Sequence, residues 1–205
     1  MKNESIKISL TELMNYVNQS GTAKITVVEK SKANHETEYA AYKDYWLKLR
    51  EAIKDAHKRN LPKDSLSDIV DQVNDDKKDN YARAVNGYCK FWGKKKIEWI
   101  KPPQKTWMVG DIKIELNPEL GLRIKNKTYF IKLYIRANET MNKHHADLIL
   151  SVMEHELRDK VESDVVFMVL DVNRGKAFEY KNDDPKLYTL MKNEAISFGN
   201  NWKEL

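Results

Sequence analysis

The alternation of hydrophobic and polar residues is clearest between residues 107 and 136, where two apolar runs are joined by turn residues. Successive side chains of a β-strand point to opposite faces, so Asp111, Lys113 and Glu115 should share one face while the apolar residues between them are buried. Turn residues at 126–127 then predict a hairpin. The strands expected here are 107–116, 122–125 and 128–136.

Spacings of three and four between apolar residues predict helices in the first half of the chain. Ser9 and Glu12 have the spacing of a capping box, which favours a short helix directly after Ser9. Residues 24–28 (KITVV) are typical of a short strand, and the polar run 75–80 (DDKKDN) of a loop. The further helices expected in this half span about 36–59, 65–73 and 80–92.

The second half combines strand and helix patterns. Residues 165–170 (VVFMVL) are all apolar, as expected of a strand that is buried on both faces. The other expected elements are strands at 96–101 and 176–180, a helix at 141–160 and a last helix capped by Asp184. We therefore predict an α+β protein, with a mainly helical region 1–93 followed by a mainly antiparallel sheet with two covering helices in region 94–205, the two packed together as one unit.

Composition narrows the class of protein. With 205 residues and 41% hydrophobic residues the chain can bury a substantial core, and no apolar run is long enough to span a bilayer. Cys89 is the single cysteine, which excludes an intrachain disulfide framework. The first ten residues lack the apolar segment of a signal peptide. An intracellular, cytoplasmic protein without membrane contact is expected.

Charge points to a binding surface in the first half. The net charge is +5, of which residues 1–100 carry +4 and the remainder +1. Lysines and aromatic residues interleave over residues 90–107, here called the Lys/Trp segment. Lysines neutralise phosphates, and exposed rings stack on unpaired bases. The residues expected to bind are Lys90, Lys94, Lys95, Lys96, Trp99, Lys101 and Lys105. The first hypothesis is a protein that contacts nucleic acid, or a protein partner, through this segment; the alternative is a buried set of tryptophans with solubilising lysines.

An enzymatic alternative rests on four residues. Glu98 is followed, after a turn, by Asp111-Ile112-Lys113, a pattern that resembles the restriction-endonuclease-like nucleases. The resemblance implies that Glu98 and Asp111 hold Mg²⁺, that Lys113 positions the attacking water, and that Glu115 contributes. No cofactor other than Mg²⁺ is implied. The same residues also fit the solvent face of an amphipathic strand.

Two further features complete the candidates. Tyr39, Tyr42 and Trp46 lie on one predicted helix face and could pack against another chain, which would make the protein a structural interaction module. Residues 171–175 (DVNRG) suit a tight hairpin, in which Arg174 could reach a phosphate or a carboxylate. The preference of Asn173 and Gly175 for tight turns also explains residues 171–175 without any binding role.

Overall fold

The fold was determined as a computed structural model, which describes residues 6–36, 44–137, 139–181 and 184–205. These residues form helices and two β-sheets, and the predicted α+β class is confirmed. The α-helices are α1 (Leu10–Val17), α2 (Thr22–Glu36), α3 (Leu47–Lys58), α4 (Asp68–Asp71), α5 (Asp75–Trp92), α6 (Lys143–Leu157) and α7 (Pro185–Glu204). The strands are β1 (Ile6–Ser9), β2 (Ile97–Trp99), β3 (Lys105–Val109), β4 (Ile112–Leu116), β5 (Leu120–Ile124), β6 (Lys127–Tyr134), β7 (Val166–Asp171) and β8 (Lys176–Glu179).

The larger sheet has five strands in the order β2-β5-β6-β7-β8. Neighbouring strands in this sheet are antiparallel except for β6 and β7, which run parallel and are connected through α6. A parallel pair needs such a crossover, whereas the hairpins β5–β6 and β7–β8 need only short turns. The apolar run predicted to be buried on both faces is β7, and it lies inside the sheet.

The smaller sheet has three strands in the order β1-β4-β3. β1 pairs in parallel with β4, so that Ile6 lies opposite Ile112 and Ile8 opposite Ile114. The single strand predicted over residues 107–116 is wrong, because the chain turns at Gly110, which has a φ of +57°. Few residues other than glycine tolerate a positive φ, so β3 and β4 form a hairpin.

Two hydrophobic cores lie on opposite faces of the five-stranded sheet. On one face, residues of α1, α2, α6, α7 and the smaller sheet pack against Phe130, Phe167 and Val169. On the other face, α3, α4 and α5 pack against a second set of strand residues, which comprises Leu120, Leu122, Ile131, Leu133, Met168 and Leu170. Each core thus combines residues from before and after residue 93.

The strand predicted at residues 24–28 is wrong, because these residues lie inside α2. Val28 is fully buried, and Lys24 forms an ion pair with Glu194 of α7 at 2.5 Å. Ser31, one turn further on, donates to Glu12 of α1 at 2.9 Å. Packing between helices overrides the intrinsic β preference of a short β-branched run.

Two helix starts also differ from expectation. The polar run 75–80, predicted as a loop, forms the beginning of α5, where Asp75 and Asp76 occupy the first turn. Carboxylates there are stabilised by the helix dipole. The helix expected from residue 36 to residue 59 begins only at Leu47 in α3. Tyr39 and Tyr42 lie outside the described residues.

Several local predictions are confirmed. Ser9 caps α1 and forms a reciprocal capping box with Glu12. Asp184 caps α7, which has Pro185 in its first turn. The hairpin around Asn126 joins β5 and β6. Among the described residues, no helix combines the length and the apolar character required to cross a membrane.

Candidate functional site

An open depression of about 510 Å³ lies where α5 meets the turn between β7 and β8. We call it the α5 groove. One wall belongs to α5, and the other to the turn that follows the carboxyl end of β7. Its lining residues are Arg83, Asn86, Gly87, Lys90, Asn173 and Arg174. Three are cationic, two carry amides, and none is acidic, so the groove is chemically suited to an anion.

Two glycines set the distance between the walls. A Cβ atom at Gly87 of α5 would overlap the backbone carbonyl of Val172, and one at Gly175 would overlap the carbonyl of Gly87. Gly175 also has a φ of +61°, which disfavours other residues. The backbones of helix and turn are therefore in direct contact, which fixes the separation of the backbone positions from which the cationic side chains extend.

The cations are exposed and only lightly engaged. Arg83 and Lys90 lie on one face of α5 because they are seven residues, or two helical turns, apart. Arg83 donates to the carbonyl of Ala137 at 3.2 Å. Arg174, whose side chain is 52% exposed, lies 3.6 Å from Asp171, a carboxylate that is almost completely buried. Asp171 accepts from the Met141 amide at 3.2 Å through Oδ2, the same oxygen that faces Arg174.

Asn173 attaches the turn to the end of β6. Its amide nitrogen donates to the carbonyl of Arg136, while its Oδ1 is buried and has no hydrogen-bond partner among the described residues. Arg136 in turn donates to Asn15 of α1. The floor of the α5 groove is thereby tied to both the sheet and the first helix.

The Lys/Trp segment is divided by the fold. Lys90 lines the α5 groove, and Lys94 and Lys96 are exposed just beyond the end of α5. Lys95 is also exposed, but its ammonium donates to the carbonyl of Phe91 and lies 4.7 Å from the centre of that ring. Partial burial lowers the pKa of Lys95.

The later lysines of the segment lie elsewhere. Lys101 is exposed between β2 and β3. Lys105 is half-buried in β3, where its ammonium lies 3.1 Å from Glu156 and 3.6 Å from Asp159. Its charge is therefore compensated by the end of α6 and the turn that follows, which makes Lys105 unsuited to a phosphate contact.

The tryptophans of the segment do not present open ring faces. Trp107 is 3% exposed, and its indole donates to the Tyr188 hydroxyl at 3.2 Å. Trp92 is half-buried, with its ring centre 4.1 Å from that of His57. Trp99 is half-buried too, with the ammonium of Lys58 5.5 Å from its ring centre. The aromatic part of the segment mainly packs against the protein itself.

The four residues of the nuclease pattern are divided between the two sheets. Glu98 is in β2 of the five-stranded sheet, 3.3 Å from Arg123 on the neighbouring strand. Asp111 is in the β3–β4 turn of the other sheet, where it accepts from Lys203 of α7. The two carboxylates expected to share a cation thus lie on different sheets, each with its own basic partner.

Lys113 and Glu115 lie on the outer face of β4, as the alternation predicts. Glu115 accepts from the Thr106 hydroxyl at 3.0 Å and lies 3.5 Å from the ammonium of Lys7. Among the described residues, no group of three or more His, Cys, Asp or Glu side chains has an arrangement that could hold a metal ion.

A different acid–lysine pair is brought together inside the protein. Glu119, at the start of β5, and Lys132 of β6 are 2.5 Å apart, with side chains 14% and 13% exposed. The second oxygen of Glu119 accepts from the Leu133 amide at 2.8 Å. Both carboxylate oxygens are therefore engaged, and the pair stabilises the β5–β6 hairpin.

Sequence reasoning missed the wall that α5 contributes. Arg83 and Asn86 were not among the residues predicted to bind, although Arg83, Gly87 and Lys90 recur at the spacing of one helix face. The pattern predicts a helix from residue 80 and assigns its apolar face to the core, but it does not indicate a function for the polar face. Arg174 was recognised as a possible phosphate contact, but its partner wall is more than 80 residues earlier in the chain.

Comparisons with known proteins identify no relative of this chain. The chain matches no protein-family model, no curated protein and no solved structure.

Proposed function

We propose that this protein binds nucleic acid, and that the α5 groove holds the sugar-phosphate backbone. The observation that carries the proposal is the convergence of Arg83, Lys90 and Arg174 on one open groove, whose lining within the described part of the chain has no carboxylate. Arginine forks and lysine ammonium groups are the side chains that bind phosphate oxygens. Lys94 and Lys96 are exposed just beyond the end of α5 and add positive charge near that end of the helix.

The proposed binding is electrostatic and needs no cofactor. Each phosphate that a cation neutralises releases condensed counterions, so that affinity falls with salt. Three such contacts to a duplex contribute about 2.7 to the slope of log affinity against log salt. Contacts to phosphates carry no sequence information, and a binder of low sequence selectivity is expected.

The test is a salt titration of fluorescence anisotropy with labelled DNA and RNA. The variant replaces Arg83, Lys90 and Arg174 by Gln, because a Glu at position 174 would be repelled by the buried Asp171. A matched control replaces Lys30, Lys186 and Lys192 by Gln, which are exposed lysines of α2 and α7. Both variants lose three positive charges.

We expect the groove variant to bind more weakly and to lower the magnitude of the salt slope by about 2.7, whereas the control keeps both near the wild-type values. An equal loss of affinity in the two variants would mean that binding depends only on the overall charge of the protein. It would contradict the proposal that the α5 groove is the binding site. Equal melting temperatures establish that neither variant is unfolded.

A second variant separates the Lys/Trp segment from the groove. Replacing Lys94, Lys95 and Lys96 together by Glu is expected to abolish binding if the segment is the main contact surface. Under the groove proposal the charge-matched change of Lys94, Lys95 and Lys96 to Gln weakens binding through Lys94 and Lys96, and the Arg83/Lys90/Arg174 variant weakens it more. If the change in the Lys/Trp segment weakens binding more than the Arg83/Lys90/Arg174 variant does, the segment is the main contact surface.

The same assay tests the alternatives. Shortening of the strands that requires Mg²⁺, and that Asp111→Ala removes, would establish the nuclease built on Glu98, Asp111, Lys113 and Glu115. Absence of binding to every nucleic acid at low salt would contradict the proposal and leave a protein partner as the ligand to seek.

A further inference from the structure

We infer that the α5 groove prefers a double-stranded nucleic acid over a single strand. This inference depends on the proposed function and adds the class of ligand to it. It follows from the side chains that surround the groove and from the rigidity of the groove walls.

Proteins that bind single strands without sequence preference combine a basic groove with exposed aromatic rings, on which successive bases stack. The large hydrophobic side chains exposed among the described residues are Met108, Leu190, Ile196 and Leu205, and none is aromatic. The rings within two residues of the groove cations, those of Tyr81, Tyr88, Phe91 and Trp92, are buried or half-buried. Among the described residues no aromatic side chain lines the groove, so the groove itself offers little of the stacking that makes a flexible strand a good ligand.

Charge alone favours a duplex. Double-stranded DNA presents one negative charge per about 1.7 Å of its axis, and each neutralised phosphate releases about 0.9 counterion, compared with about 0.7 on a single strand. A surface that acts through Arg83, Lys90 and Arg174 without stacking therefore gains more from each contact with a duplex.

Rigidity acts in the same direction. Gly87 and Gly175 hold the walls of the groove in backbone contact, and Arg83 and Lys90 are about 10.5 Å apart along the α5 axis. A duplex already presents its phosphates in a regular array. A single strand must first be ordered to reach the cations that extend from these two fixed backbones, and that loss of conformational freedom weakens binding.

The experiment compares four labelled ligands of equal length with the full chain at one salt concentration: duplex DNA, duplex RNA, single-stranded DNA and single-stranded RNA. We expect both duplexes, or one of them, to bind about tenfold or more tightly than either single strand, with the three groove cations contributing about 2.7 to the magnitude of the salt slope for a duplex against about 2.1 for a single strand. The two duplex arms show whether B-form or A-form backbone is preferred. The Arg83/Lys90/Arg174 to Gln variant should lose the preference.

Tyr39 and Tyr42 lie outside the described residues and provide a direct check on stacking. Changing both to Ala should leave single-strand and duplex affinity unchanged within about twofold. Single strands that bind the wild type as tightly as duplexes do, whether or not this variant loses that binding, would overturn the inference while the proposed function stands. If none of the four ligands binds, it is the proposed function that fails.

Discussion

At the scale of single residues, His57 shows how burial changes a titration. The side chain is 5% exposed within the core beneath α3 and α5. Its Nε2 lies 2.6 Å from the Tyr88 hydroxyl, and its ring packs on that of Trp92. Desolvation lowers the pKa of His57 from 6.5 to about 4, because a charged imidazolium would be buried without a carboxylate beside it. Burial likewise raises the pKa of Tyr88.

This residue makes folding sensitive to acid. The unfolded chain binds a proton at His57 as pH falls below 6.5, but the folded protein does so only near pH 4. The contribution to stability is therefore complete above pH 6.5 and is lost as pH falls towards 4, to a total of about 3 kcal/mol. Urea unfolding at pH 7.5 and 4.5 measures this loss.

His57→Gln keeps a hydrogen-bonding group but removes the titration, so its stability should fall less between the two pH values than that of the wild type. His144→Gln, at an exposed position of α6, serves as the control and should behave as the wild type. An identical pH dependence in His57→Gln and the wild type would exclude His57 as the source of acid sensitivity.

Prediction at the residue scale works where a side chain's role depends on its own pattern. The alternation over β4 assigns Ile112 and Ile114 to the core, and both are buried. Lys105 shows the limit, because its partners Glu156 and Asp159 are about 50 residues away. The sequence of the Lys/Trp segment does not reveal that this lysine is already compensated, and the same holds for Asp111 with Lys203.

At the scale of elements, the contact between α5 and the β7–β8 turn depends on Gly87. Alanine is favoured over glycine within a helix by about 1 kcal/mol, yet a Cβ here meets the carbonyl oxygen of Val172, which belongs to backbone and cannot rotate away. We expect Gly87→Ala to destabilise the protein by about 1–3 kcal/mol through overpacking. The midpoint and slope of urea unfolding measure this.

Gly199 of α7 is the matched control. A Cβ there would lie 2.8 Å from the terminal Cδ1 of Ile112, a flexible side-chain end. Gly199→Ala gains the same helix propensity against a neighbour that can adjust, so its effect should be clearly smaller than that of Gly87→Ala. If both changes cost the same, the backbone contact at Gly87 does not set the packing of α5.

The type of an element was predictable where its own signals were strong. Capping residues identify the starts of α1 and α7, and the apolar run identifies β7. The strand predicted at residues 24–28 is wrong because a short run of four β-branched residues, 25–28, fits either a strand or a helix. The helix is selected by contacts of α2 with Glu12 and Glu194. The loop predicted at residues 75–80 is also wrong. Its charge is typical of a loop, but aspartates are equally favoured in the first turn of a helix, where Asp75 and Asp76 lie.

At the scale of the whole molecule, periodicity identifies a buried face but not the partner that buries it. The α+β class and the predominance of antiparallel pairs were accessible from the order of the elements. The parallel pairing of β1 with β4 was not, since it joins Ile6 to Ile112 across more than 100 residues. The α5 groove was not predictable for the same reason. Its residues Lys90 and Arg174 are separated in the sequence by the strands β2 to β7, and only the folded sheet brings them together.

The division into regions 1–93 and 94–205 stays a prediction, and it can be tested with fragments. In a fragment of residues 94–205, one face of the five-stranded sheet would lose its cover from α3 and α5. The other core would lose β1 and α1. Burial of apolar area is the main source of stability, at about 25 cal/mol per Å². We therefore expect this fragment to lack a cooperative urea transition, measured by circular dichroism, and co-expression with fragment 1–93 to restore one. A fragment 94–205 that unfolds cooperatively by itself would show that the sheet and its two covering helices form an independent domain, and that the helices before residue 93 are an addition to it.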